Sequence, residues 1–271
     1  MTDKALVVFS GGQDSTTCLG WALEHYDEVA CITFHYGQRH AAEIDAAARV
    51  VGFFQHVYGQ EIEHEIVDVP DILHSASPLT DKAGKLETYS DHASMSAIIG
   101  DRVEKTFVPM RNTLFLTIAA NRAVAAGITT LVTGVCQEDG ANYPDCTLDF
   151  IDSITNTFDV SLGCPNPADH ALRIETPLMH RSKASTVRLA MNTPHTYTAL
   201  SFSHTAYDGQ YPPTGRDHAS VLRAHGFERA DVPDPLVLRA VHEGRMPMPL
   251  THNYRPELAD GLTESMRRFW A

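Results

Sequence analysis

Apolar residues along the first half of the chain follow two alternating rhythms. Short runs dominated by apolar side chains, at residues 5–9, 29–34 and 130–135, have the length and composition of strands buried on both faces. Residues 62–69 alternate apolar and polar positions, as a further strand would. Between these runs, residues 15–25, 41–53 and 112–126 carry apolar side chains at helical spacing. Strands that alternate with helices need crossover connections. The pattern therefore predicts an α/β fold with a doubly wound parallel sheet and its ligand site beyond the carboxyl ends of the strands.

The second half is less regular. Residues 150–162 and 182–191 read as helices, and a last helix is expected over 257–270. Residues 71–104 are polar and weakly periodic, which suggests a long loop or excursion over the site. Residues 193–235 are rich in His, Pro, Gly and Asp. The expected division is a nucleotide-binding α/β domain with substrate-pocket insertions over 1–192, followed by a smaller, irregular and mostly helical C-terminal region over 193–271.

Composition narrows the class of partner. The net charge is −13, so most of the surface repels a nucleic-acid backbone and direct nucleic-acid binding is not expected. A local basic patch around Arg216, Arg267 or Arg268 stays open. No run reaches the ~20 apolar residues that span a bilayer. Met1 to Lys4 lead straight into a strand, so a soluble, cytoplasmic protein without a membrane partner is expected. Cys18, Cys31, Cys136, Cys146 and Cys164 form no close pair, as suits a reducing compartment.

The turn after the first strand reads Ser10-Gly11-Gly12-Gln13-Asp14-Ser15 and leads into a helix. Two glycines permit close backbone approach, and the free N–H groups of a helix start suit a phosphate. No Lys follows, which excludes a Walker loop, and adjacent glycines exclude a dinucleotide fingerprint. The string Ser-Gly-Gly-x-Asp-Ser resembles the pyrophosphatase loop of the N-type ATP pyrophosphatases, which cleave ATP between the α and β phosphates.

Further strings follow in order: Tyr36-Gly37-Gln38-Arg39-His40 with Glu43, Phe107 to Asn112, Gly134-Val135-Cys136, Tyr143-Pro144-Asp145-Cys146, and Thr176-Pro177-Leu178 with Lys183-Ala184. Together with the loop they closely resemble the 7-cyano-7-deazaguanine synthase (QueC) family over roughly residues 5–230. The resemblance implies a sheet of the adenine nucleotide alpha hydrolase type, a homodimer, and conversion of 7-carboxy-7-deazaguanine to the nitrile with ammonia and ATP. It further implies that Ser10, Gly11, Gly12, Gln13, Asp14 and Ser15 cradle the nucleotide's phosphates, and that Asp14 holds Mg²⁺. Arg39, Arg111 and Lys183 become candidates to neutralise transition-state charge. Tyr36, Gln38, Arg111, Asn112, Tyr143 and Asp145 become candidate substrate contacts, with Asp145 facing the N1–H and amino edge of the base. Some have plainer readings: Arg39 and Arg111 as surface ion-pair partners of acids such as Glu43, Tyr143 and Asp145 as shapers of a Pro turn; His40 is open between an acid/base group for ammonia and a structural histidine. Cys18, Cys136 and Cys146 are expected to be packed thiols rather than nucleophiles.

The chain departs from the family near its end. Family members carry four zinc-binding cysteines there. With Val221-Leu222-Arg223 and Gly226-Phe227 fixing the register, those positions hold Ala199, Thr214, Asp217 and Ser220, so a thiolate site cannot form and zinc is expected to be absent. Either packing by Leu238, Val241, Leu262, Phe269 and Trp270 of the extension replaces the metal, or a new site uses His195, His204, Asp217, His218 or His225. The departure also leaves open an enzyme that stops at the amide or passes the acyl group to another amine, and a non-catalytic nucleotide-binding subunit. The apolar side of the last helix is the candidate dimer interface.

Overall fold

The computed structural model describes residues 2–37, 42–70, 72–81, 83–136, 142–164, 166 and 170–270. Five strands form one sheet: β1 (Lys4–Val8), β2 (Glu28–His35), β3 (Glu63–Asp68), β4 (Thr130–Val132) and β5 (Arg173–Glu175). Their order is β3-β2-β1-β4-β5 and every pairing is parallel. The chain winds outward from β1 in both directions, so the crevice at the carboxyl ends of β1 and β4 is the switch point where such sheets place ligands.

Strand periodicity sends neighbouring residues of β1 to opposite faces. Ala5 and Val7 join Cys18, Leu19 and Ala22 of α1 (Gln13–His25) and Val50 and Phe54 of α2 (Ala42–Tyr58). Leu6 instead joins Leu116, Ala119 and Ala123 of α4 (Arg111–Ala125) and Ile151 and Phe158 of α5 (Leu148–Ser161). Both faces are thus covered by helices, as the alternation of strand and helix predicts. Each fully buried Leu or Phe in these layers contributes roughly 1.5–3 kcal/mol of burial.

The structure also departs from the sequence pattern. β4 stops at Val132, because the chain must then turn in toward α1: a Cβ on Gly134 would lie 3.2 Å from the backbone of Asp14 and Ser15. The excursion over 71–104 contains α3 (His92–Ile99), started by a capping box between Asp91 and Ser94. Its Tyr89, Met95 and Ile99 pack with Val221.

Residues 193–235 hold more helix than their composition suggests. After α6 (Lys183–Asn192) come α7 (Thr196–Ala199), α8 (His218–Ala230), α9 (Pro235–His242) and α10 (Pro256–Met266). Asp217 and Asp234 cap α8 and α9 through side chains that accept N–H groups of the first turn. Leu238, Ala259 and Met266, with Leu262 and Trp270 beside them, pack with Val187, Tyr197, Leu200 and Phe227, while Phe269 packs against Phe53. Of the extension residues expected to supply packing, Leu238, Leu262, Phe269 and Trp270 do so, while Val241 joins neither cluster. The apolar side of the last helix packs within the chain, with Leu262, Phe269 and Trp270 only partly buried.

Candidate active site

The loop after β1 is built by its own hydroxyls. Ser15 Oγ accepts the Ser10 N–H at 3.2 Å, and Ser10 Oγ accepts the Gly12 N–H at 3.3 Å. Gly11 adopts φ +80°, and a Cβ there would lie 2.6 Å from Ala47 N and 2.7 Å from Glu43 O. The approach of α2 therefore requires a glycine at this position. Gly12 starts α1 and has no side chain to cap it. The Nε2 of Gln13, a residue 4% exposed, has no hydrogen-bond partner among the described residues.

Asp14 stands in the first turn of α1, where Lys183 of α6 meets it: Nζ donates to Oδ2 at 2.8 Å. Lys183 is 7% exposed and also lies 3.8 Å from Cys136 Sγ. Its approach depends on Gly226 of α8, where a Cβ would come within 3.0 Å of the Lys183 Cβ. Two residues 169 apart in sequence thus form one charged pair at the phosphate loop.

These groups open on a cavity of about 300 Å³ at the switch point. Of the candidate site residues, Ser10, Gly12, Gln13, Asp14, Ser15, Tyr36, Arg111, Asn112, Tyr143 and Lys183 line it. Gln38, Arg39 and His40 lie outside the described residues. Asp145 is buried and is not among the lining residues; its carboxylate receives the Asn112 N–H at 3.4 Å. The Asn112 amide donates back to the Asp145 carbonyl at 3.2 Å. The pair ties the start of α4, and with it Arg111, to the Tyr143 turn. Burial raises the Asp145 pKa, with Arg111 and the Asn112 N–H opposing it.

Tyr143 is pinned rather than mobile. Its hydroxyl lies 2.6 Å from Thr106 Oγ1, and its ring meets His218 and Phe107 edge-on. Opposite chemistry comes from aromatic residues that the motifs did not single out. Phe34 and Phe115 stack with centroids 4.3 Å apart, Tyr36 leans on Phe115, and both phenylalanines line the cavity. The segment 204–207 closes another wall: the His204 N–H donates to the Gly11 carbonyl at 2.9 Å, and Thr205 Oγ1 accepts the Gln13 N–H at 3.4 Å. Burial lowers the pKa of His204 and raises that of Tyr207. Only the tertiary fold brings this segment to the loop, and no spacing in the sequence signals it.

The 204–207 wall is held from behind by Arg223. Its guanidinium makes a bidentate pair with Asp234 (2.6 and 2.8 Å) and donates to Ser203 Oγ, Thr205 Oγ1 and the Leu200 carbonyl. Both charges are about 95% buried. One side chain thus joins α8, the cavity wall and the C-terminal extension.

The positions that correspond to the family's zinc ligands do not fit a metal. Ala199 is fully buried and apolar, and Thr214 Oγ1 donates to Asp208 at 2.6 Å. Both oxygens of Asp217 accept from Ser220, the N–H at 3.0 Å and the hydroxyl at 2.6 Å. Among the described residues no three His, Cys, Asp or Glu side chains group as a metal site. His225, one of the alternative ligands, stacks on His92 at 3.8 Å.

A parallel sheet wound from its first strand, with a Ser-Gly-Gly-x-Asp-Ser turn at the switch point, defines an α/β nucleotide-loop protein. The family model of queuosine biosynthesis protein QueC matches residues 4–231, and the chain belongs to that family. It is similar to a 7-cyano-7-deazaguanine synthase of Gloeobacter violaceus, 45% identical over 86% of this chain and 95% of the relative. A 7-cyano-7-deazaguanine synthase of Laribacter hongkongensis is 41% identical over 88% and 95%. Among solved structures, the U34-tRNA thiolase NcsA of Methanococcus maripaludis aligns at 14% identity and a TM-score of 0.37, over 99% of this chain and 73% of that one. No helix among the described residues is long and apolar enough to cross a membrane.

Proposed function

We propose that the chain activates 7-carboxy-7-deazaguanine with ATP and joins it to ammonia, giving 7-cyano-7-deazaguanine. The observation that carries this reading is the convergence, in one cavity, of the Ser10–Ser15 loop, the Asp14–Lys183 pair and Arg111 with an aromatic wall of Phe34, Tyr36 and Phe115. The names of the relatives support the product, 7-cyano-7-deazaguanine.

The chemistry asks for such a site. A carboxylate repels nucleophiles and has no good leaving group. Transfer of AMP to its oxygen makes a mixed anhydride and releases pyrophosphate. The loop N–H groups and hydroxyls are suited to receive that pyrophosphate. Gln13 Nε2, buried without a partner among the described residues, supplies one further donor. Arg111 and Lys183 offset negative charge that develops on the phosphates. Asp14 would hold Mg²⁺, a hard ion that screens phosphate oxygens. The aromatic wall takes the face of a planar base, and Tyr143 shapes its pocket. Asp145 acts from behind the wall, holding Asn112 and the start of α4 in place. Attack by ammonia gives the amide, and a second activation of the amide oxygen allows loss of water to the nitrile.

Incubation with 7-carboxy-7-deazaguanine, ATP, Mg²⁺ and ammonium, followed by mass spectrometry, tests the reading. The nitrile, AMP and pyrophosphate are expected. Amide as the sole product would move the endpoint, and absence of AMP with every acceptor would overturn the activity. A homodimer, implied by the family resemblance, is checked by light scattering.

A further inference from the structure

Two carboxylates line the cavity among the described residues, Asp14 and Glu43. Asp14 is paired with Lys183 and belongs to the phosphate loop. Glu43 is assigned nothing by the scheme above. It stands in the first turn of α2, and its own backbone carbonyl packs on Gly11, which sets its side chain beside the loop where the carboxyl group is activated. No described residue donates a hydrogen bond to its carboxylate. The other two acids nearby are already used, Asp145 at Asn112 and Asp217 at Ser220.

We infer that Glu43 receives ammonium in the cavity and takes its proton, delivering neutral ammonia to the activated carboxyl carbon. The inference rests on the proposed acyl activation. Ammonia in neutral water is mostly ammonium, which has no lone pair for attack. A cavity built to neutralise phosphate, with Arg111 and Lys183 on its walls, repels that cation unless an anion is set aside for it. Glu43 is such an anion. One N–H proton passes to the Glu43 carboxylate. The nitrogen lone pair forms the C–N bond, and the C–O bond to AMP breaks with its electron pair leaving on AMP. The tetrahedral nitrogen then sheds a second proton to solvent, leaving the neutral amide.

The groups facing Glu43 suit a base. Arg111 from α4 favours its charged form, while Asp217 at the start of α8 disfavours it, and Tyr36 and Tyr207 are the neutral neighbours. Burial, the largest influence, pushes its carboxyl up to about 7, which strengthens it as a proton acceptor near neutral pH.

Hydroxylamine separates this role from any other. It is a neutral nucleophile at pH 7 and needs no proton removed before attack. Wild type and Glu43→Gln are compared with 7-carboxy-7-deazaguanine, ATP and Mg²⁺, in ammonium and separately in hydroxylamine, and the ratio of amide-derived product to hydroxamate is read. Removing the base should lower ammonium-dependent turnover by roughly 10² or more. Hydroxamate formation should persist, so the ratio collapses in the variant. An unchanged ratio, whether both rates fall together or neither falls, overturns the inference. Exchange of labelled pyrophosphate into ATP is followed in the same samples. If wild type shows no substrate-dependent exchange, the proposed activation itself fails, and that outcome is distinct from a failed assignment of Glu43.

Discussion

Lys183 Nζ and Asp14 Oδ2, 2.8 Å apart, join the start of α6 to the start of α1 at the mouth of the phosphate loop. Under the proposed reaction the cation would meet the phosphate oxygens of ATP and the anion its metal. Asp14→Ala is expected to abolish substrate-dependent pyrophosphate exchange. Lys183→Met should lower kcat by roughly 10²–10³, the usual cost of one charge-stabilising donor. Turnover near the wild-type rate in either variant would remove that residue from the reaction.

The same pair marks what could be read from sequence. β1, its turn and α1 are contiguous, so an apolar run, two glycines and a helical period fixed strand, loop and helix together. The partner of Asp14 could be named only by family resemblance, because the contact between α1 and α6 is tertiary. α8 is hidden for a different reason: its buried face includes His218, Ser220, Arg223 and Gly226, which no hydrophobic pattern counts as core. β5 gives no strand pattern because Arg173-Ile174-Glu175 is a three-residue edge strand with two charges. The Tyr143–Cys146 string points to Asp145 as a substrate contact but carries no sign of its tertiary contact, the Asn112 N–H donated to its carboxylate at 3.4 Å.

Arg223 and Asp234 form the most buried ion pair on the path from the extension to the cavity. Asp234→Ala would strand a guanidinium that now also holds Ser203 and Thr205. Loss of one partner of a buried pair costs about 3–5 kcal/mol. Urea denaturation should register that loss, and the KM for ATP should rise because Thr205 supports Gln13. The double change Arg223→Met with Asp234→Leu should be milder than Asp234→Ala alone, since no charge is left uncompensated.

Gly11→Ala puts a side chain at φ +80° and 2.6 Å from Ala47 N. Backbone strain of this kind costs about 1–3 kcal/mol, and the clash adds to it because α2 must move. Since α2 carries Glu43, both stability and turnover should fall. Gly37→Ala, also at positive φ but with open space around its Cβ, should pay strain without the clash and serves as the comparison.

Glu43 also sets a pH dependence in the ligand-free protein. Burial lifts its pKa from 4.5 to about 7 in the folded chain. Between those values the folded chain holds a proton that the unfolded chain has lost, so unfolding releases a proton and stability falls as pH rises through the window. Glu43→Gln should flatten this fall. Denaturation midpoints from pH 4 to 8 for the two proteins would show parallel curves if the side chain were an ordinary exposed acid.

Metal removal gives the last test. Hydrogen bonds occupy the polar residues that stand where the family has zinc-binding cysteines or pack beside them. Asp217 caps α8 through Ser220, Thr214 bonds Asp208, and Arg223 ties the region to the extension. Protein purified without chelator should therefore carry no stoichiometric zinc, and incubation with EDTA should leave its Tm unchanged. Asp217→Ala should cost about 0.5–2 kcal/mol, the usual cost of losing a helix cap. A drop in Tm on chelation that added zinc restores would mean that a metal is held after all, by residues other than the four positions where the family has cysteine.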